Sequence, residues 1–332
     1  MLDLKADLLS QMDAAQWCQD EFEGWQAGIN MQCVAAAKHE RGDARPSMSL
    51  SAQGQAYCHA CGYRATSPVG LLMDRDKIAF KDACRILWDR YVEPLVTSSA
   101  WVPAQRSILA NPYILGLLES RRVITKATAL RFHLGWDGRL VIPIHNEHDF
   151  CVNLRRYDLL GKFEEKIISW KKGFGKARMW PLEGSGPAFL FEGEMDTILA
   201  RQHGLCAYTV TSGAGIWKQD WGKLFQGRPI TIVPDLDTAG IAGGTRRALA
   251  LKAFSPDVRM VKLPLQGDKA NKDYTDWIMK HGGSATALRE LALKEKPLEA
   301  LAASKMIETP NLEPFERLSK SEEINMERAV SA

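Results

Sequence analysis

Through the opening 30 residues apolar positions recur at helical spacing (Leu8, Leu9, Met12, Ala15, Trp17), mixed with acidic ones and ending near Gly28. This spacing predicts one or two short helices. Two strand-like runs follow at 47–51 and 55–58, joined by Ala52-Gln53-Gly54, the composition of a tight hairpin turn. Helical spacing returns over 66–94, and Thr97-Ser98-Ser99-Ala100 with Pro103 just beyond predicts a linker and the first domain boundary. From Asn111 the pattern predicts helices at 113–120 and 125–132, then strands at 140–144 and 150–154 about the polar turn 145–149, a small α+β unit. After Pro187 apolar strands and helices alternate: strands at 188–191, 207–211, 230–233 and 258–263, helices from Asp196 and from Gly240. Such alternation builds a parallel sheet with right-handed crossovers.

The chain has 332 residues, 45% of them hydrophobic, enough for about two domains with real cores. No apolar run approaches the roughly 18 residues that span a bilayer, and Asp3 and Asp7 stand where a signal peptide would need a basic start, so neither a membrane partner nor secretion is expected. Seven cysteines, at 18, 33, 58, 61, 84, 151 and 206, are too scattered for a disulfide framework, which points to a reducing cytoplasm. The formal net charge is only +3, but residues 101–180 hold 14 Lys/Arg against 7 Asp/Glu. A stripe of cations this dense attracts a polyanion through its local field.

Cys33, His39, Cys58 and Cys61 fall within 29 residues. Cys58-His59-Ala60-Cys61 is a knuckle that puts two thiolates on one side of a tight turn, directly after the predicted hairpin, as in one half of a zinc ribbon. Cys33 and His39 would supply the other half. Four such ligands with no open position make a structural Zn2+ site. His59 is the alternative fourth ligand; unlinked buried thiols and a Cys-x-x-Cys redox pair are the competing readings.

Glu192 follows one apolar strand and precedes a helix; Asp235 and Asp237 follow another and also precede a helix. In an open parallel sheet the carboxyl ends of the strands line one crevice, so the three acids are expected to converge. Alternate residues of an extended chain point the same way, and Gly193 and Gly240 let backbone approach closely. Converging carboxylates call for a hard cation, and oxygen-only ligation selects Mg2+ or Mn2+ over zinc. Asp196, in the first turn of a helix, is either a further ligand or a cap. Downstream, Asp273 either joins the acidic rim or sits in a solvated loop, and Lys272 either meets a phosphate or is solvated likewise.

Glu192-Gly193-x-x-Asp196 with Asp235-x-Asp237-x-Ala239-Gly240 resembles the Toprim domain shared by primases, topoisomerases and some nucleases. Upstream, His39-Glu40 and Arg45-Pro46-Ser47-Met48-Ser49 before Cys58-x-x-Cys61 resemble the zinc-binding domain of bacterial and bacteriophage DnaG-type DNA primases, although that family opens with Cys-x-x-His and here five residues separate Cys33 from His39. Leu118-Glu119-Ser120-Arg121-Arg122-Val123-Ile124, Leu140-Val141-Ile142-Pro143-Ile144 and Asn153-Leu154-Arg155-Arg156-Tyr157 look like the amino-terminal part of the primase polymerase core. The order matches that family over roughly residues 30–282.

The resemblance implies an α/β chain with a zinc-binding domain over 1–96, a basic α+β subdomain of the primase core over 97–182, a Toprim domain with a Rossmann-like parallel sheet over 183–290, and a charged helical or disordered tail over 291–332. It implies a DNA-directed RNA polymerase that makes short RNA primers on single-stranded DNA from ribonucleoside triphosphates by metal-dependent nucleotidyl transfer. Glu192, Asp235 and Asp237 are then catalytic, and Glu192, Asp196, Asp235, Asp237 and Asp273 hold two or more magnesium or manganese ions. One structural zinc sits on Cys33, His39, Cys58 and Cys61. Arg155, Arg156, Lys166, Lys171, Lys172, Lys176, Arg178 and Lys272 are expected on nucleotide or DNA phosphates. The sequence contains no G-x-x-x-x-G-K-[ST], which makes a separate replicative helicase the implied partner, docked by the tail unless the tail is a disordered end. The rival readings are a Toprim-type nuclease or topoisomerase-like enzyme and a catalytically inactive DNA-binding replication factor.

Overall fold

The structure, a computed structural model, describes residues 3–39, 43–211, 215–268 and 271–298. Two helices open it, α1 (Leu4–Gln11) and α2 (Ala14–Glu21). Each is started by an aspartate whose carboxylate accepts otherwise unpaired N–H groups, Asp3 from Lys5 and Ala6, Asp13 from Ala15 and Gln16. An antiparallel sheet follows, β1 (Met48–Leu50), β2 (Ala56–Cys58) and β3 (Arg64–Ala65), its first two strands joined by the turn read from the sequence. The helical spacing over 66–94 resolves into two helices, α3 (Pro68–Asp76) and α4 (Phe80–Tyr91), broken at Lys77, whose backbone is left-handed with φ 56°. Trp17, Met48, Leu50, Leu72 and Leu87 are buried in one core.

The next layer comprises α5 (Ser98–Leu109), α6 (Pro112–Arg122), α7 (Lys126–Arg131) and a four-stranded antiparallel meander, β4 (Gly135–Trp136), β5 (Leu140–His145), β6 (Cys151–Tyr157) and β7 (Ile167–Ser169). Here the structure corrects the sequence reading: 97–103 is no linker, because Ser98 starts α5 and Pro103 lies inside it. The proline forfeits one helical hydrogen bond. Packing outweighs that loss: Ala104 and Ile108 are buried, and a Cβ at Gly135 would fall 2.8 Å from the Ala104 backbone, so α5 and β4 meet backbone to backbone. Phe150, at the end of the β5–β6 turn, reaches back into the first core against Trp88, ring centroids 6.0 Å apart.

A five-stranded sheet completes the fold, from β8 (Met179–Trp180), β9 (Ala188–Phe191), β10 (Cys206–Val210), β11 (Ile230–Val233) and β12 (Val258–Met260), in the order β12-β11-β9-β10-β8. β9 to β12 are parallel, as the alternation predicts; β8 is an antiparallel edge that pairs with β10. Because β8 precedes residue 183, this sheet takes its edge strand from the segment read as the basic subdomain. The helices are α8 (Glu194–Gln202), α9 (Thr238–Leu251), α10 (Tyr274–Lys280) and α11 (Ala285–Lys294). Glu40 and residues 299–332 of the tail lie outside the described residues. Among the described residues no helix is long and apolar enough to cross a membrane.

Candidate active site and metal centre

Cys58 ends β2, Cys61 follows in the turn to β3, and Cys33 and His39 flank a short 3-10 turn at Ala36–Lys38. Their four ligand atoms all lie within 4.8 Å of one another. Cys33 Sγ is 3.8 Å from Cys61 Sγ, and Cys58 Sγ is 3.5 Å from His39 Nε2. A tetrahedron with Zn–S of about 2.3 Å and Zn–N of about 2.0 Å has edges of roughly 3.8 Å between sulfurs and roughly 3.5 Å from sulfur to nitrogen, so the donor set fits Zn2+. His59 lies edge-on against Tyr57 instead, centroids 4.9 Å apart. Burial opposes ionisation of Cys58, but the Ser47 hydroxyl and the Cys61 and Ala60 N–H groups outweigh it and bring the thiol down to about 6. Asp43, buried, stands 3.6 Å from His39 Nδ1 and accepts the Ser47 hydroxyl and the Cys33 N–H, the kind of outer partner that orients a metal-binding imidazole.

At the other centre, β9 and β11 are neighbours in register, Phe191 opposite Val233, so the residues that leave both strands emerge on one edge. Glu192 leaves β9, and Asp235 and Asp237 leave β11. Lys272, arriving from the segment before α10, puts Nζ 3.0 Å from Asp235 Oδ2 and 2.6 Å from Asp237 Oδ2. Asp237 also caps α9, accepting the Gly240 N–H at 2.8 Å. Gly240 is required here: a Cβ would fall 2.5 Å from the Asp235 carbonyl oxygen and 2.7 Å from Glu192 Oε2. Burial, then the charge of Asp237, raises the proton affinity of Glu192; burial, then Glu192, raises Asp235 to about 6. Asp237 is lowered by Lys272 and the Gly240 N–H. Burial lowers the proton affinity of Lys272, but both aspartates more than offset this. Glu192 Oε2 is buried with no hydrogen-bond partner among the described residues. An orphaned carboxylate oxygen beside two further carboxylates is a donor set that fits a hard divalent cation.

Asp196 does not cap α8, whose cap is Gly193 with no side-chain bond. Its Oδ1 instead accepts the Thr275 N–H at 2.9 Å and hydroxyl at 2.6 Å, across to α10. Asp273 is no solvated loop residue either: it is buried and caps α10 through the Asp276 N–H, 2.8 Å. Burial, then the Asp196 charge, raises Asp273 to about 7.

The basic residues divide. Arg155 Nε donates to Glu194 at 2.8 Å, both largely buried, and so ties β6 to α8. Arg156 pairs with Asp137 at 2.8 Å, and Arg178 pairs with Glu93, which also draws Lys176 to 3.7 Å. Lys166 lines a cavity of about 330 Å³ with Arg121, Arg122, Tyr157 and Phe163. Lys171 lies over the Trp170 ring at 4.3 Å, and Lys172 is exposed. Sequence reasoning did not assign Arg122, Tyr157 or Thr275 to the site. Arg122, whose charge bears on both Asp196 and Asp273, stood within a quoted motif, whereas Thr275 gave no signal.

No family model matches the sequence. Over 195 residues the chain is 27% identical to a DNA primase of Geobacillus stearothermophilus, an alignment that covers 55% of this chain and 32% of that protein. The chain thus spans about a third of the length of the curated relative it matches. Among solved structures it is similar to the zinc-binding and RNA polymerase domains of the Aquifex aeolicus primase, at 18% identity, covering 90% of this chain and 87% of that one with a TM-score of 0.46. It is also similar to the primase fragment of the bacteriophage T7 primase-helicase protein, at 16% identity, covering 79% and 98% with a TM-score of 0.48.

Proposed function

We propose that the chain is the zinc-binding and polymerising part of a DNA primase, which acts in the cytoplasm during DNA replication to join ribonucleotides into short RNA on a single-stranded DNA template. The observation that carries this reading is a Cys3His cluster and an acidic strand edge in one chain that aligns with a DNA primase. We assign residues 1–96 to template binding, 97–182 to nucleotide and template phosphates, 183–290 to catalysis, and a replicative helicase as partner.

Glu192, Asp235 and Asp237 would hold Mg2+ or Mn2+, with Asp196 and Asp273 behind them; bound there, the ion supplies charge neutralisation at the reacting phosphate and a lower pKa for the attacking hydroxyl. Glu192 is assigned as the proton acceptor, its Oε2 being buried with no hydrogen-bond partner among the described residues. Lys166, Lys171, Lys172 and Lys176 meet phosphates, while Arg155 and Arg178 hold the scaffold through Glu194 and Glu93. Tyr57, exposed with the Arg64 guanidinium 4.9 Å from its ring centre, offers a face on which a template base stacks.

The experiment supplies single-stranded DNA, four ribonucleoside triphosphates and Mg2+ and looks for oligoribonucleotides. Synthesis that disappears in Asp235→Ala is expected. Template cleavage in place of synthesis would favour a nuclease, and binding with neither would favour a replication factor without catalysis.

A further inference from the structure

The connection from β7 to β8 lies within a stretch, residues 166–182, that holds five Lys/Arg and no Asp or Glu. Two aromatic rings interleave with the cations, in Trp170-Lys171-Lys172-Gly173-Phe174-Gly175-Lys176. Both ends of the connection are fastened at the sheet edge that carries the acids. At its start, Ser169 Oγ accepts from Arg155 at 3.3 Å, and the same guanidinium holds Glu194, two residues beyond Glu192. At its far end, β8 runs antiparallel to β10 with Met179 opposite Val210, so the residues that enter β8 stand at the carboxyl end of β10. There the Arg178 N–H donates to Thr211 Oγ1 at 3.1 Å and the Thr211 N–H to the Arg178 carbonyl at 2.9 Å. β10 is in turn the neighbour of β9, and the Thr209 hydroxyl donates to the Glu192 carbonyl at 2.8 Å.

Trp170 and Phe174 meet edge to face, ring centroids 5.1 Å apart, and pack on the small core of Val96, Val141, Cys151 and Leu154. That core covers them only in part: both residues are half-buried, and the Trp170 ring has the exposed Lys171 ammonium 4.3 Å from its centre, which marks this face as open to solvent. The backbone holds the rings in place. The Trp170 N–H donates to the buried Asn153 side chain at 3.3 Å, and the Phe174 N–H closes a turn onto the Lys171 carbonyl at 3.2 Å. Fixed rings among cations suit a strand whose bases are unpaired, because stacking needs a free base face while the cations take the phosphates. We propose that Trp170 and Phe174 stack unpaired bases of the template DNA as it passes the acidic edge, the Lys171 ammonium moving from the ring to the adjoining phosphate. The proposal rests on the reading of the chain as a primase that works on single-stranded DNA.

The test cross-links the zinc-loaded full chain to single-stranded DNA that carries iododeoxyuridine in place of thymidine, a photoreactive base that couples to the aromatic ring it stacks on, and locates the modified residue by mass spectrometry. Coupling at Trp170 or Phe174 is expected. Coupling only elsewhere, Tyr57 included, would overturn the proposal and leave the primase reading standing; no binding of single-stranded DNA at all would overturn both. In fluorescence anisotropy Trp170→Ala is expected to weaken binding on the order of 10- to 100-fold, the usual effect of losing one stacked base, and Trp170→Phe to keep most of the affinity. On an abasic oligonucleotide of the same length, which keeps the phosphates and lacks the bases, Trp170→Ala and the wild type should bind alike. An equal loss on both oligonucleotides, or no loss on either, would overturn the proposal. Circular dichroism and zinc content report whether Trp170→Ala folds; if it does not, the cross-link on the wild-type chain decides.

Discussion

Gly240→Ala sets two effects of opposite sign against each other. Gly240 is the third residue of α9, and alanine in a helix is favoured over glycine by up to about 1 kcal/mol. The added Cβ, however, meets the Asp235 carbonyl oxygen at 2.5 Å, the Asp235 Cβ at 2.9 Å and Glu192 Oε2 at 2.7 Å. Ordinary contact needs roughly 1 Å more, and two of these three atoms cannot rotate away. Overpacking of this kind costs about 1–3 kcal/mol, so a net loss of ~1–2 kcal/mol is expected in urea unfolding. Because Glu192 is the group that moves most easily, primer synthesis is expected to fall about 100-fold, the usual effect of a 1 Å misplacement of a reacting group. Gly116→Ala is the control: Gly116 lies exposed in α6 with nothing within 4 Å of an added Cβ, and the change is expected to stabilise by up to about 1 kcal/mol with activity intact. If Gly240→Ala behaved like Gly116→Ala in both assays, the close approach of α9 to the carboxylates would be refuted.

Cys58→Ser is expected to release about one zinc per chain in a chromogenic chelator assay and to unfold the first core; unchanged zinc content would contradict the Cys3His assignment. Arg155→Met strands the buried Glu194 carboxylate, and about 3 kcal/mol is expected to be lost in urea unfolding, the low end for a broken buried pair because burial already favours the protonated acid. The double variant Arg155→Met/Glu194→Leu should recover most of it, and a loss under about 1 kcal/mol in the single variant would show the pair to be solvated. His145 has its pKa lowered by burial, with a smaller opposing effect from Asp149. The unfolded chain therefore takes up a proton below about pH 6.5 that the folded chain resists, so stability falls as pH drops through this window, and His145→Gln should flatten that part of the pH profile. An unchanged slope would place the titration elsewhere.

Legibility of the fold followed the strength of each local signal. β9 and β11 were readable to the residue because each is a fully buried apolar run, beginning next to Pro187 and Pro229. β7 and β8, three and two residues long, are too short to show a period and exist through pairing with β6 and β10. α5 was misread because Ser, Thr and Pro locally favour a break, while the reason for the helix, the bare Gly135 backbone that receives it, lies 32 residues past Pro103.

At the candidate site the sequence displayed which charges are present but not which are already partnered, and this changes an observable quantity. The seven cations Arg155, Arg156, Lys166, Lys171, Lys172, Lys176 and Arg178 read as one phosphate-binding stripe. The three arginines are instead held by Glu194, Asp137 and Glu93, carboxylates distant in sequence, whereas the lysines remain at the surface or beside the cavity; Lys176, more than half exposed, gains little from Glu93. Binding of single-stranded DNA releases counterions in proportion to the phosphates neutralised, with a log–log salt slope of about −0.7 per contact. Four lysines give a slope of roughly −3, and all seven cations would give roughly −5. Fluorescence anisotropy with a labelled oligonucleotide across 50–300 mM salt separates the two, and replacing Lys171 and Lys172 by alanine should bring the slope to about −1.4. A wild-type slope near −5 would mean that the arginines leave their carboxylates for the nucleic acid, so that the ion pairs seen here are what DNA binding displaces.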